Sequence, residues 1–478
     1  MLWLCLHFVR LPIESLSGAE TAEHPLVISH ANAVMQANAP AIQAGIRPGM
    51  AIAAARAISD GLRECDYCGD REARMLEQLA TWAVQFTSRV SLQPPRALLL
   101  EIGASLAYFD GLESLRQGLR NSLANIGHQA TAAIAPTPTA AWLLARQDDT
   151  APVITRAELG ERLARIPVAA LDLEPARQNA IHGLGCTTLG DLRAIPADGL
   201  AKRLGRHLLA TLQRAHGERA DPRVDWQPPP RFQARIELPA ETTHSDRLRP
   251  GFEHLLGVLC GQLRYREAGV TRILCELHHP SHSPTRLRVG MSRPGRDPHH
   301  LGMLLDQQLE QCRLTTGVIA LTLKADTFHA LAPAPRDLLD DGQQATPDDA
   351  WHQLIDNLSN RLGPDRVRAL AVDDEHRPER AWRFTDPGRN RANDPPALPP
   401  RPAWLLGQPV RLISRGGQPH HHGPLILEHG PERIESGWWD GQDVSRDYYQ
   451  AITPAGERLW VFRERRGERR WYLHGLFA

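Results

Sequence analysis

The sequence predicts an α/β protein of several domains that ends in a small, aromatic-rich β domain. Three observations carry this. Short apolar runs alternate with amphipathic stretches over the first 145 residues, as they do where sheet and helices share a core. Residues 231–330 run strand, helix, strand, strand, helix, strand, the order of a split βαβ sandwich. Aromatic side chains crowd residues 403–478, behind a proline-rich stretch. A chain of 478 residues has room for roughly three to four domains of about 100–200 residues each.

Taken in order, residues 1–10 are mostly apolar and read as a buried strand. Residues 26–62 are alanine-rich and punctuated at Gly45, Pro48 and Gly49, which predicts short helices and a strand. A helix is expected over 70–89, a strand over Arg96–Ile102, a helix over Glu113–Ile126, and a strand Thr131–Ala135 leading into helix Thr139–Gln147. Residues 160–217 read as helices with short turns. The next six elements are Phe232–Leu238, Gly251–Arg266, Thr271–His278, Thr285–Met291, Pro298–Cys312 and Gly317–Phe328. One more helix is expected over 350–363, then an extended linker, Thr385–Pro402, with Pro395, Pro396, Pro399, Pro400 and Pro402. In the tail, Leu459–Arg463 and Arg470–Leu473 flank Gly467 and predict a hairpin.

Lys+Arg and Asp+Glu balance at 55 each, so no overall basic field advertises nucleic acid, and any DNA contact rests on local patches. The opening MLWLCLHFVRLPIESL is too short to span a bilayer and lacks a basic leader. Seven scattered cysteines fit a reducing cytoplasm. Cys65-x-x-Cys68 has no second pair at metal-ligand spacing, so it reads as two reduced thiols in a loop. His278, His279 and His282 read as solvated turn residues, and His420, His421 and His422 as incidental loop residues. No metal and no cofactor is expected.

Residues 1–145 resemble the catalytic core of the Y-family translesion DNA polymerases. That family's first strand carries two aspartates one residue apart, and a glutamate seven residues after the second. Glu14 fits the glutamate, which puts Cys5 and His7 on the aspartates. The family's later Asp-Glu pair falls on Arg96 and Ala97, anchored by Leu100-Glu101-Ile102. The tyrosine and arginine that meet the nucleotide fall on Ala39 and Ile42, before the Gly45-Ile46 turn, and the palm lysines fall on Pro138 and Trp142. Four separate elements lack the polymerase's residues together. Two-metal chemistry needs several hard oxygen ligands around ions about 3.5–4 Å apart. Glu14, Glu101 and Asp110 are the neighbouring acids, and none matches a ligand position of the family.

The resemblance implies a palm over 1–10 and 72–158, fingers over 11–71, a helix-hairpin-helix thumb over 159–230 and a βαββαβ little finger over 231–332. A linker with a helix follows over 333–384, then the proline-rich linker 385–402 and the C-terminal domain 403–478. In the thumb, Asp172-Leu173-Glu174 replaces the glycine hairpin that would meet a phosphate, while Gly185–Leu192 keeps the pattern linking the paired units. Lys202, Arg203, Gly205 and Arg206 are the candidate DNA contacts there, with Arg272, Arg286 and Arg288 in the little finger; Arg264 and Arg266, at the end of the preceding helix, either add to that surface or are simply solvated.

The tail is similar to the ImuB branch of the family through Gly430-Pro431-Glu432-Arg433-Ile434-Glu435-Ser436-Gly437-Trp438-Trp439, Arg446-Asp447-Tyr448-Tyr449 and the ending Trp471–Ala478. That branch implies a catalytically inactive adaptor in damage-induced mutagenesis. It would join DNA, the β sliding clamp, a RecA-like ImuA-type protein and an error-prone C-family polymerase, in the cytoplasm at the nucleoid. The candidate clamp peptide is Ala334–Leu339, with Asp337, Leu338 and Leu339 as its core. The tail aromatics read chiefly as a small β core. The alternatives are an active translesion polymerase with non-standard metal ligands and a DNA-binding protein with no clamp role.

Overall fold

The computed structural model describes residues 1–18, 24–331, 347–387 and 400–478, without the side chains of 347–349. The chain forms two compact units, Met1–Arg361 and Leu362–Ala478. The candidate clamp peptide and most of the proline-rich linker lie outside the described residues.

The first unit opens with strand β1 (Trp3–His7) and a one-turn helix α1 (Leu11–Glu14). A small sheet follows, β2 (Leu26–His30), β3 (Ala33–Ala37) and β4 (Arg63–Asp66), ordered β3-β2-β4, with short helices α2 (Ala39–Gln43) and α3 (Ile52–Ile58) inside it. Helix α4 (Gly69–Ala83), strands β5 (Val90–Gln93) and β6 (Ala97–Glu101), helix α5 (Leu112–Asn125), strand β7 (Thr131–Ala135) and helix α6 (Pro138–Ala145) complete a second layer, whose sheet runs β5-β6-β1-β7.

Central strand β1 is nearly all apolar because both its faces are covered. Leu4, Leu6 and Phe8 join the core with Leu79 and Trp82 of α4 and Leu115 and Leu119 of α5. Trp3 and Cys5 point the other way, into a core with Ala140, Ala141 and Leu144 of α6. The expected helix to residue 89 is too long. The chain turns after Ala83, Phe86 N–H bonds back to the Ala83 carbonyl, and β5 then pairs with β6. The small sheet has three strands where one was expected. Alanine-rich β3 lacks the β-branched run that marks a strand, and it is held by pairing to β2.

Five helices follow: α7 (Arg156–Ala164), α8 (Pro175–Gly183), α9 (Leu189–Ala194), α10 (Ala197–Leu204) and α11 (Arg206–Ala215). Thr188 and Asp191 form a capping box at the start of α9. An added Cβ at Gly190 would lie 2.9 Å from the Ala164 carbonyl, so α9 meets α7 backbone to backbone.

Next come β8 (Phe232–Thr242), α12 (Arg249–Tyr265), β9 (Ala268–His278), β10 (Thr285–Gly295), α13 (Pro298–Glu310), β11 (Val318–Ala325) and the short β12 (His329–Ala330). The sheet is ordered β10-β9-β11-β8, with β12 beside β9, and the expected βαββαβ sequence is present. Helix α12 packs on the earlier layer through its glycines. A Cβ at Gly261 would sit 2.9 Å from the Trp82 carbonyl, and one at Gly257 would overlap the Ile126 side chain. One apolar core therefore runs from β1 to β11 without a break. Helix α14 (Pro347–Leu362) closes the unit, with Asp356 Oδ1 accepting from Ser292 N at 2.6 Å and Asn360 Nδ2 donating to the Gly290 carbonyl at 2.8 Å.

The second unit begins with a hairpin where the sequence predicts only linker, β13 (Ala369–Val372) and β14 (Trp382–Thr385). Strands β15 (Trp404–Arg411), β16 (Ile413–Arg415), β17 (Gln418–His420), β18 (Ile426–Ser436), β19 (Val444–Ile452), β20 (Arg458–Glu464) and β21 (Trp471–Leu476) follow. Five of them form an antiparallel sheet, β15-β21-β20-β19-β18, in which β20 and β21 are the expected hairpin. Tyr448 stacks on Trp460 with ring centroids 4.1 Å apart, and its hydroxyl lies 2.8 Å from His474 Nδ1. Among the described residues no helix is long and apolar enough to cross a membrane.

Candidate functional site

Of the residues that the resemblance sets at the polymerase's metal positions, Cys5, His7 and Ala97 lie on one face of the first sheet, while Arg96, just before β6, turns toward α4 on the other. Strand β1 sits between β6 and β7, so Cys5 pairs with Leu99 and Ala133, and His7 with Ala97 and Thr131. Cys5 and Ala97 are fully buried. They belong to an apolar floor with Leu99, Ala133 and Ala135, covered by α6. Burial holds the Cys5 thiol well above its ordinary range, so it remains a neutral, inert thiol. His7 ends the strand half-buried, its Nδ1 without a partner. Burial first, then repulsion from Arg146 and Arg96, holds its ring below the ordinary histidine value.

Arg96 stands just before β6 and is engaged. Its Nε donates to Glu72 of α4, whose other oxygen accepts from Tyr67 Oη at 2.6 Å. The guanidinium is thus the counter-ion of a carboxylate only 2% exposed.

None of the three neighbouring acids reaches Cys5, His7 or Ala97. Glu101 lies opposite Trp3 at the far end of the β1–β6 pair, and its Oε1 accepts from Leu2 N at 3.2 Å and Gly103 N at 3.1 Å. Glu14 is buried against His128. Asp110 is exposed in the turn before α5. Among the described residues no group of three or more His, Cys, Asp or Glu is arranged to hold a metal ion.

The nucleotide positions carry no phosphate donors on their side chains. Ala39 and Ile42 lie exposed on α2, capped by Asn38, which accepts from Ala41 N at 3.0 Å. Pro138 is buried in the first turn of α6. Trp142, one turn on, takes the Arg146 guanidinium over its ring at 5.1 Å. Arg146 also makes a two-pronged pair with Asp172, pulling that carboxyl below its usual range. Asp172 has φ 47°, so the acidic hairpin keeps the left-handed turn a glycine would make but directs its charge to Arg146. Nearby, Arg223 donates to Gln93 at 2.7 Å, Thr139 at 3.0 Å and Asp221 at 2.9 Å.

Two basic surfaces remain open. Lys202 and Arg203 are exposed on the last turn of α10, and Arg206 is exposed at the first residue of α11. Gly205 joins the helices with φ 95°, a conformation that favours glycine. The second surface is the outer face of the β10-β9-β11-β8 sheet. Registers set Arg286, Glu276, Thr322 and Arg235 in one row, and Arg288, Leu274 and Lys324 in the next. Arg272, opposite Gly290, extends the same face. Glu276 is its one acid in these rows, held below its usual value by Lys324 at 2.7 Å and Arg286 at 3.3 Å. Arg235 and Lys324 were missed in the sequence. The alternation Phe232, Ala234, Ile236 buried and Gln233, Arg235 exposed was the available signal.

One open reading is resolved and one expectation needs correction. Arg264 and Arg266 are exposed but do not extend this face. Arg264 bonds Gln85 Oε1 at 2.8 Å, and Arg266 bonds the Pro228 and Pro229 carbonyls, each at 3.0 Å. Both follow from their place at the end of α12, on the covered side of the sheet. His278 and His279 are not solvated turn residues. His278 Nε2 lies 2.9 Å from Thr322 Oγ1, and His279 Nδ1 lies 2.9 Å from the Gly317 carbonyl, because the strands run to the turn. His282 is exposed, as expected.

In the second unit, Gly437 has φ 88°, and an added Cβ would lie 2.5 Å from Arg377 Nη1. Arg377 is 3% exposed and pairs with Glu375 at 2.6 Å and Asp440 at 2.8 Å. This fixes the turn that leaves Trp438 80% and Trp439 58% exposed, whereas Tyr448, Trp460, Phe462 and Trp471 are core. Cys65 lies in β4 with burial raising its thiol, and Cys68 is exposed.

The mixed α/β architecture is the one expected of a Y-family polymerase-like protein. Residues 11–146 match the impB/mucB/samB family. Protein ImuB of Caulobacter vibrioides, in each of two strains, is 29% identical over 462 residues, spanning 91% of this chain and all of the relative. The chain is ImuB-like. Among solved structures, a Y-family DNA polymerase chimera Dbh-Dpo4(243-245)-Dbh aligns with 69% of this chain and all of its own at 15% identity and TM-score 0.39. DinB from Sulfolobus solfataricus aligns with 68% of this chain and 98% of its own, at 15% identity and TM-score 0.38.

Proposed function

We propose that this chain is a catalytically inactive, polymerase-shaped adaptor in damage-induced translesion synthesis. One observation carries the reading. At the four metal positions stand a buried thiol, a neutral imidazole, a methyl group and a guanidinium paired to another acid. Divalent cations need oxygen ligands to activate a primer hydroxyl and hold pyrophosphate, and these side chains offer none.

DNA contact is supported by the outer sheet face with Arg235, Arg272, Arg286, Arg288 and Lys324, and by Lys202, Arg203 and Arg206 around Gly205. Both present exposed cations suited to a phosphate backbone. The similarity to ImuB supports the partners: the β sliding clamp, with Asp337, Leu338 and Leu339 as its contact, a RecA-like ImuA-type protein and an error-prone C-family polymerase. Such an assembly works at the nucleoid in the cytoplasm.

The test is a pull-down of the purified chain with sliding clamp and C-family polymerase, with primer extension on the same preparation in magnesium and in manganese. Partner capture without extension is the expected result. Extension that survives removal of contaminating polymerases overturns the reading in favour of a polymerase with non-standard ligands. DNA binding without clamp capture leaves a DNA-binding protein of another role.

A further inference from the structure

Three buried polar side chains and the half-buried Gln78 form an unbroken hydrogen-bonded chain where α12 meets the first layer. Glu14 Oε2 lies 3.0 Å from His128 Nδ1, His128 Nε2 lies 3.2 Å from His254 Nδ1, and His254 Nε2 lies 2.9 Å from Gln78 Oε1. Glu14 is 6%, His128 3% and His254 1% exposed. They come from α1, the loop after α5, α12 and α4.

Counting hydrogens fixes the direction of each bond. Gln78 Nε2 donates to the Arg235 carbonyl at 2.8 Å, so its Oε1 faces His254. An amide oxygen only accepts, so His254 carries its hydrogen on Nε2, and Nδ1 of the neutral ring is a lone pair. His128 must then donate from Nε2, which leaves its own Nδ1 a lone pair aimed at Glu14. A neutral Glu14 satisfies it by donating its O–H. Burial favours this uncharged arrangement, pushing Glu14 up to about 7, His128 down to about 4 and His254 down to about 3.

We propose that this chain is a one-proton joint, in which loss of the Glu14 proton reverses the hydrogen bonds and loosens α12 from α4 and α5. The proton leaves to water. Glu14 then only accepts, so His128 must move its hydrogen to Nδ1 and His254 must do the same. His254 Nε2 then faces Gln78 Oε1, acceptor to acceptor, unless Gln78 turns its amide and gives up the Arg235 carbonyl. Stopping at Glu14–His128 or His128–His254 leaves two lone pairs face to face in a buried site, which is costly, so the mismatch is passed to half-buried Gln78.

The other groups around the chain are few. Arg10 and the Gln129 N–H face Glu14 and favour its ionisation, less than burial opposes it. The Ile126 carbonyl lies 3.4 Å from His254 Nδ1. Arg71, Arg74, Arg235 and Glu237 line the small cavity beside Gln78. The joint has no slack, because Gly257 and Gly261 already place α12 against Ile126 and Trp82. Its last bond ends on β8, the strand that carries Arg235 in the basic face.

The test is hydrogen exchange of the full chain between about pH 6 and about 8.5, corrected for intrinsic exchange. Protection over Arg249–Tyr265 should fall by about tenfold across neutral pH. In Glu14→Gln it should stay high throughout, because the glutamine amide donates as the neutral acid does and has no proton to lose. A flat wild-type profile, or the same step in Glu14→Gln, overturns the proposal. Ring 15N shifts of the wild-type histidines test it without substitution. Below neutral pH His128 should be protonated at Nε2 and bare at Nδ1; a hydrogen on Nδ1 overturns it.

Discussion

Arg96 is the counter-ion of Glu72, and Glu72 has almost no water of its own. The arginine that the sequence resemblance sets where a Y-family polymerase presents a metal-binding carboxylate is one half of a structural ion pair. The pair ties the loop before β6 to the first turn of α4, and through Tyr67 to the end of β4.

Arg96→Ala should therefore destabilise the first unit by about 3 kcal/mol, the usual cost of stranding one partner of a buried pair. Arg96→Ala with Glu72→Gln should recover much of that stability. Urea denaturation of both variants measures it.

Restoring an acid at Cys5 should damage the fold. Cys5 is fully buried among Leu99, Ala133 and α6, and an unpaired carboxylate there costs several kcal/mol. Cys5→Asp should melt far below Cys5→Ala, and neither should extend a primer.

DNA affinity should depend on the outer sheet face. Arg272→Ala, Arg286→Ala and Arg288→Ala together should weaken binding of a primer–template duplex. They should also lower the slope of log K against log salt by roughly one for each phosphate no longer neutralised. Fluorescence anisotropy at several salt concentrations reads both. Arg264→Ala, on the covered side of the sheet, should leave the slope unchanged.

The C-terminal unit should be acid-sensitive through Arg377. Its bonds hold Glu375 and Asp440 down to about 2. A depressed carboxylate contributes stability that is present above its unfolded value and lost as pH falls through the folded one. The loss should run from about pH 4.5 to about 2 and be largely absent in Arg377→Ala. Gly437→Ala, at φ 88° and against the guanidinium, should cost about 1–3 kcal/mol at neutral pH. Circular dichroism melts across pH separate the two effects.

Trp438 and Trp439 should tolerate serine within about 0.5 kcal/mol, whereas Trp460→Ala should cost about 3–5 kcal/mol. The same denaturation experiment distinguishes surface from core.

Much of this was legible from residues alone. The apolar run of β1, the βαββαβ order and the β20–β21 hairpin all follow from hydrophobic periodicity, which reports burial. The pairing of Cys5 and His7 on β1 with Leu99 and Ala97 on β6 was within reach because strand spacing is rigid. What Arg96 bonds to was not. Glu72 lies 24 residues before Arg96, and nothing local pairs them. Arg264 and Arg286 look alike in sequence, yet one bonds Gln85 and the other lies in the exposed row. The hairpin β13–β14 is hidden in the sequence because its large apolar residues Leu370, Val372, Trp382 and Phe384 are exposed while the small Ala371 is buried, so hydrophobicity does not report which side is inside.

Helix α12 touches its neighbours with glycine, and at Gly257 and Gly261 no side chain separates it from them. The outer sheet is consequently no interchangeable module. A graft from a relative would have to reproduce the seam on both sides, at Gly257 against Ile126 and at Gly261 against Trp82. A fragment ending near residue 230 would expose the apolar sides of α4 and α5 and lose solubility.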